Sequence, residues 1–246
     1  MTPRQVLALT LPVLLLTAAT PGVSEAATKR PAVVERRTIG HTVKGEAIVA
    51  WRLGNPKSTR KVVVLAAMHG DEKGPSRILG NLRDGKPVRG ADLWVIPHYN
   101  RDGEARNTRK NAHGVDLNRN YPRHWVRTKG AYNSGPRAGS EPETKTMMRF
   151  LKLVKPDYVI SFHQPLFGVG RAPRKGDALV KRLHTGLHLP VKSFNCTGVC
   201  HGTMTEWYNA HFKGVAVTVE YGKGVSKKVA TSIGPRGVLR AVGAHR

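Results

Sequence analysis

The chain has 246 residues, with 41 Lys and Arg against 16 Asp and Glu, a net charge of +25, 39% apolar residues and two cysteines. That length holds one ordinary domain or two small ones with enough apolar surface for a packed core, which excludes a disordered or collagen-like chain. Two cysteines exclude a disulfide scaffold and a four-cysteine zinc module, so a metal site has to be built from histidines and carboxylates.

In chain order, residues 1–26 read as a secretory signal peptide: Arg4, an apolar stretch from Val6 to Ala19, and small residues Ser24 and Ala26 before a cut. The stretch falls short of the ~20 residues a membrane span needs, and Pro12 and Pro21 interrupt it. A single domain over residues 27–246 is expected to remain, secreted to the extracellular space or cell wall, with no membrane span in the mature form. Residues 33–53 read as a hairpin around Lys44-Gly45. Lys61 to Met68 is a continuous apolar run, the pattern of a strand buried on both faces, and a helix is predicted from Lys73 to Leu82. Ala91 to Pro97 is a second such strand. A polar block follows, Asn100-Arg101-Asp102-Gly103, Arg109 and Gly114 to Pro122, with the composition of a loop arranged around anions or of a solvated loop.

Glu141 to Leu153 carries Met147, Met148, Phe150 and Leu151 at helical spacing behind an acidic first turn, and Asp157 to Phe162 is a third buried strand. Helices are predicted over Lys175 to Leu187 and Thr203 to Phe212, and a last central strand over Val215 to Val219. Between those helices, Cys196 and Cys200 can close a tight disulfide loop contributing about 2 kcal/mol. A zinc site there would need two more ligands where the segment offers only His201, and a pair of buried thiols is the third reading. Strands alternating with helices predict an α/β protein with one sheet covered on both faces.

The basic excess runs from Lys29 to Arg246 without a lysine-rich tail, repeat or nucleic-acid motif, so no specific nucleic-acid partner is expected. It predicts either salt-sensitive association with anionic cell-wall polymers or simply solvated basic faces. The chemistry-bearing residues stand at strand ends. His69 follows the first buried strand, with Glu72 three residues on; His163 follows the third; Glu220 closes the last. In open α/β sheets these carboxyl ends border the ligand crevice, so four ligands or bases converge there. Two imidazoles and a carboxylate make an open zinc site, and a further carboxylate supplies a base.

With these residues in this order, the chain resembles the zinc carboxypeptidase family, most closely its short secreted bacterial branch that includes murein peptide amidases. The matching residues are His69-x-x-Glu72, Asp102-Gly103, Arg109, Gly114 to Arg119, Ser140-Glu141-Pro142-Glu143, His163 and Val219-Glu220. The resemblance implies a three-layer α/β/α fold around a mostly parallel mixed sheet, and one Zn²⁺ per chain on His69, Glu72 and His163. Asp116 would accept the outer ring N–H of His69 and fix its tautomer. Glu220 would take a proton from the attacking water and deliver it to the leaving nitrogen, and Arg109 would help stabilise the oxyanion. Asn118 and Arg119 would grip a terminal carboxylate. Thr205 falls where digestive members set side-chain preference, and suggests a polar pocket. No tyrosine between Val191 and Glu206 matches the substrate-capping tyrosine of pancreatic-type members. The implied partner is a peptide, foremost a peptidoglycan stem peptide cut at its γ-D-glutamyl-diaminopimelate or a related bond. Two alternatives remain: an N-acyl amino-acid deacylase of the aspartoacylase type, and a non-catalytic cationic wall-binding protein.

Overall fold

The structure, a computed structural model, describes Met1, residues 31–194 and residues 200–246. The signal segment beyond Met1 and Cys196 lie outside the described residues. The hairpin forms as β1 (Val33–His41) and β2 (Ala47–Gly54); β3 (Lys61–Leu65), α1 (Ser76–Arg83) and β4 (Asp92–Ile96) follow. Then come α2 (Arg101–Arg106), α3 (Pro142–Val154), β5 (Tyr158–His163), β6 (Gly168–Gly170) and α4 (Asp177–Leu187). The chain closes with β7 (Val191–Lys192), α5 (Met204–His211), β8 (Val215–Glu220) and α6 (Gly234–Ala241). All eight strands form one mixed sheet in the order β1-β2-β4-β3-β5-β8-β6-β7, parallel from β4 through β8 and antiparallel where β2 and β6 join it.

Alternation along the central strands fills two cores. Val62 and Val64 of β3 face α1, α4 and α6 through Ile78, Leu82, Leu183 and Val238. Val63 and Leu65 face α3 and α5 through Met147, Leu151, Trp207 and Tyr208. Because side chains alternate across a strand, a run apolar at every position requires cover on both faces, and the helices supply it. Among the described residues no helix is long and apolar enough to cross a membrane.

Some elements differ from the sequence expectation. The first helix starts at Ser76, not Lys73, because a tight turn in which Glu72 N donates to His69 O precedes it. The start of the polar block is helical: Asn100 caps α2, its Oδ1 accepting from Gly103 N at 3.0 Å. α6 carries Gly234, Pro235 and Gly237, residues of poor helix propensity, and is held by packing. A Cβ on Gly237 would lie 2.3 Å from the carbonyl oxygen of Gly186 in α4, so the two helices cross at a distance only glycine permits.

Candidate metal centre and substrate cavity

Three strands end at one point. β3 runs out through Ala67, whose positive φ of 55° turns the chain so that Met68 and His69 follow directly. The loop carrying His69 then presses on α2; a Cβ on Gly70 would lie 2.0 Å from the carbonyl carbon of Gly103, so the two glycines set the depth of this loop. β5 and β8 pair in parallel with His163 opposite Glu220, which places a histidine and a carboxylate side by side at the sheet edge. Gln164 fastens the three strand-end loops together. Its Oε1 accepts from Gly74 N at 3.0 Å, and its Nε2 donates to the carbonyls of Gly222 and Lys223 at 2.6 and 3.0 Å.

His69, Glu72 and His163 are buried and offer ligand atoms that all lie within 4.8 Å of one another. The Nδ1 atoms of the two imidazoles approach to 3.3 Å, and each meets one oxygen of Glu72, at 2.8 Å from His69 and 2.9 Å from His163. The outer nitrogens are occupied: His69 Nε2 by Asp116 Oδ1 at 3.0 Å and His163 Nε2 by Ser161 Oγ at 3.0 Å. Both rings therefore turn the same nitrogen inward, and their tautomers are set from outside. Two neutral nitrogens and one carboxylate, sulfur-free, suit Zn²⁺ and leave a coordination position open.

Burial opposes every charge in this cluster, and mutual attraction overcomes it. Burial draws the His69 pKa down, but the carboxylates of Glu72 and Asp116 raise it to about 9. Burial likewise pushes Glu72 and Asp116 up, yet His69 with His163 holds Glu72, and His69 with Arg109 holds Asp116, well below the usual carboxylate range. The cradle thus keeps its carboxylates ionised and holds positive charge where a metal ion would replace ring protons. Glu220 behaves oppositely: burial raises its carboxyl, and His163 offsets this only in part. Leu166 N donates to its Oε2 at 3.3 Å.

The cradle opens into a cavity of about 830 Å³ also lined by Arg109, Asn118, Arg119, Thr205 and Glu220. All sequence-predicted site residues within the described chain are therefore at one place, with Asp116 buried behind them. Arg109 donates through Nε to Asp116 Oδ2 at 2.9 Å and brings Nη1 to 3.5 Å from Glu72. Asn118 Oδ1 accepts from Met204 N at 3.0 Å, which ties it to the start of α5. Arg119 is 6% exposed; its Nη1 donates to Asn118 O at 2.8 Å while its buried Nε has no partner. The residue nevertheless lines the cavity and brings a guanidinium charge to its wall, where an anion can be met.

The rest of the polar block is scaffold. Asp102 accepts from Thr42 Oγ1 and Lys44 N, at 2.9 and 3.0 Å, and so holds the hairpin turn. Asn120 Nδ2 donates to Ser134 O and Ser140 Oγ, at 2.7 and 2.9 Å. Glu141 and Glu143 both accept from Asn111, which anchors the start of α3 rather than the site. The sequence reading missed Tyr132. It sits on a short 3₁₀ turn, Gly130–Tyr132, lines the cavity, and stacks over both guanidiniums, 5.3 Å from Arg109 Cζ and 5.3 Å from Arg119 Cζ. Its sequence signal is weak, because it is one of several aromatics, with Tyr121 and Trp125, in the loop after Arg119. Tyr208, buried in α5, donates its hydroxyl to Pro156 O and is remote from any capping role.

Fold and site together define an α/β protein with an open metal cradle at the carboxyl edge of its sheet. The zinc carboxypeptidase family model matches residues 23–165, more than half the chain, and the chain belongs to that family. It is 32% identical over 142 residues to murein peptide amidase A of Escherichia coli K12, covering 52% of this chain and 58% of that protein. To murein peptide amidase A of Vibrio campbellii it is 30% identical over 149 residues, covering 55% and 59%. The matches thus span less than two thirds of these relatives. The structure of murein-tripeptide amidase MpaA from E. coli O157 superposes with TM-score 0.71 at 26% identity, over 87% of this chain and 93% of that one. Carboxypeptidase A from Helicoverpa armigera shares the fold, with TM-score 0.71 at 17% identity over 87% and 69%.

Proposed function

We propose that the protein is a zinc-dependent peptidase that hydrolyses an amide bond beside a carboxylate-bearing residue, and that its substrate is the γ-D-glutamyl-diaminopimelate bond of peptidoglycan stem peptides. The observation that carries this reading is the meeting, in one cavity, of the His69-Glu72-His163 cradle, the buried carboxylate of Glu220 and the guanidinium of Arg119. His69, Glu72 and His163 would hold one Zn²⁺ per chain, which would supply Lewis acidity to the site when bound. Glu220, raised by burial, holds a proton well enough to take it from the attacking water and pass it to the leaving nitrogen. Arg109, fixed by Asp116 and Glu72, points charge toward the developing oxyanion. Asn118 and Arg119 bind the terminal carboxylate, and Thr205 lines the side-chain pocket. Similarity to proteins named murein peptide amidase A supports the wall-peptide substrate.

The same reading takes residues 1–26 as a leader, residues 27–246 as one catalytic domain, and the site of action as the extracellular space or wall. There the net charge of +25 favours anionic polymers and Cys196 pairs with Cys200. The test is mass spectrometry of products when the zinc-loaded protein meets three substrates: a γ-D-glutamyl-diaminopimelate stem peptide, an ordinary L-peptide and an N-acyl amino acid. Release of diaminopimelate is expected. Release from the L-peptide alone makes it a general carboxypeptidase, and release from the acyl amino acid alone a deacylase.

A further inference from the structure

The loop that carries Tyr132 borders two cavities: Tyr132 lines the catalytic one, whereas its neighbour Asn133 lines a second of about 510 Å³. Arg127, Lys129 and Arg137 line this second cavity. All three are exposed, and none makes a side-chain hydrogen bond or ion pair among the described residues. Glu141 is the one carboxylate among the described lining residues, and its charge is already met. Its Oε1 accepts from Ser140 Oγ at 2.6 Å, and its Oε2 lies 2.8 Å from both Asn111 Nδ2 and His113 Nδ1. Another basic concavity, between β2 and α2, meets Arg83, Arg101 and His98 with carboxylates, Asp84 at 2.6 Å, Glu46 at 2.9 Å and Glu104 at 3.0 Å. Around the second cavity the like charges face one another without such partners, and an anion between them relieves their repulsion.

The loop closes on itself at Thr128 and Ser134. Thr128 N donates to Ser134 Oγ at 2.9 Å, Ser134 N to Thr128 O at 3.4 Å, and Thr128 Oγ1 to Tyr132 O. Its inner side meets the site, because Tyr132 stacks on Arg109 and Arg119 and Asn133 O accepts from Asp116 N at 2.7 Å. From Leu117 to Ser140 the chain has no Asp or Glu, so the loop brings no acidic group of its own to either cavity. Among the described residues no Phe, Tyr or Trp lines the second cavity, which leaves no face on which a nucleobase stacks. Its donors are two guanidinium forks and an ammonium, groups matched to phosphate oxygens. Three cations suit a phosphate, which carries up to two charges, better than a single carboxylate.

We propose that this cavity binds a phosphate group, free or carried on a polymer, on Arg127, Lys129 and Arg137, and that its occupancy fixes the loop whose inner side holds Tyr132 and Asp116. The binding stands apart from the peptidase reading; its consequence for the catalytic cavity rests on that reading.

The test is calorimetry of inorganic phosphate and of poly(glycerol phosphate) with the zinc-loaded full chain, joined to hydrogen exchange at the amides of Thr128, Asn133 and Ser134. The variant combines Arg127→Gln, Lys129→Gln and Arg137→Gln. A second variant, Lys181→Gln with Lys227→Gln and Lys228→Gln, removes the same charge from exposed positions elsewhere, and Arg119→Ala controls for phosphate taken into the catalytic cavity. The first variant is expected to weaken phosphate about tenfold or more, as for lost charge-assisted hydrogen bonds, and to abolish the slowing of exchange that phosphate brings. The two controls should stay within about threefold of wild type and keep the slowing. Equal weakening by the charge-matched variant, loss with Arg119→Ala but not with the first variant, binding without slowed exchange, or equal slowing by acetate at the same ionic strength each overturns the proposal. Affinity for the polymer about tenfold or more above that for free phosphate, lost with the same three residues, makes the polymer the source, and equal affinity makes it the free ion. None of these readouts uses hydrolysis, so failure of the peptidase reading leaves them unchanged.

Discussion

Asp116 is fully buried and accepts from three directions: His69 Nε2 at 3.0 Å, Arg109 Nε at 2.9 Å and Asn118 N at 2.9 Å. Asp116→Asn keeps its shape but removes the charge and turns one acceptor into a donor, so a buried N–H must face Arg109 or the His69–Asn118 pair. Breaking a buried ion pair costs about 3–5 kcal/mol. Arg109 retains 27% side-chain exposure and can turn partly to solvent, so about 2–4 kcal/mol of metal-free stability is expected to be lost. Loss of the group that orients His69 should weaken zinc about 10- to 100-fold. At zinc a hundredfold above the wild-type Kd, that erases half or more of the ~2.7 kcal/mol the ion adds. The sign with pH follows from the depressed Asp116 carboxyl. Its stabilisation is present above the ordinary carboxylate value of about 4 and fades as pH falls further, so the gap between wild type and variant should close in acid. Denaturant unfolding with and without chelator and a competitive zinc titration give all three numbers. A variant that binds zinc as tightly as wild type, with unchanged metal-free stability, would refute the role of Asp116.

Glu220→Gln should leave zinc affinity near wild type while lowering kcat about 10²- to 10⁴-fold; retained turnover removes Glu220 as the base. Because burial raises its carboxyl and the base acts ionised, the acid limb of kcat/KM should lie above the ordinary Glu value of about 4.3, and a limb at or below that value contradicts the assignment. Arg119→Ala should raise KM about tenfold or more for substrates with a free terminal carboxylate and much less for amidated ones; equal effects on both would argue against the carboxylate grip. Tyr132→Leu removes the ring face shared by two guanidiniums and should cost about fivefold or more in kcat/KM, with Tyr132→Phe close to wild type, whereas equal loss in both would assign the effect to the hydroxyl.

What was legible in the sequence depended on range. Val62 to Leu65 is apolar at every position, and Val159 to Phe162 and Val215 to Val219 are apolar but for Ser161 and Thr218, a pattern that fits a sheet covered on both faces, and His69, His163 and Glu220 follow those runs within a few residues. Fold and cradle were therefore readable from local pattern. Helix α2 was not, because its six residues are specified by the Asn100 cap and the contact between Gly70 and Gly103, a partner far off in sequence. Helix α6 was hidden by its Gly and Pro content, whose reason is the crossing at Gly186. Tyr132 and Gln164 carry no periodic signal; each matters only through what the fold brings against it. The polar block Asn100 to Pro122 shows the limit most plainly, since one composition serves both the cavity, through Arg109, Asn118 and Arg119, and the scaffold, through Asp102 and Asn120.

The central claim is that two separated chain segments, the loop of His69 and Glu72 and the end of β5 at His163, form one metal centre with both histidines turned inward by the same nitrogen. Crystals of the zinc-loaded protein, measured on either side of the zinc absorption edge, test it directly. The account predicts a single anomalous peak bound by His69 Nδ1, His163 Nδ1 and Glu72, with Asp116 still on His69 Nε2. A peak elsewhere, ligation through either Nε2, or no peak at a zinc concentration that supports hydrolysis would contradict it.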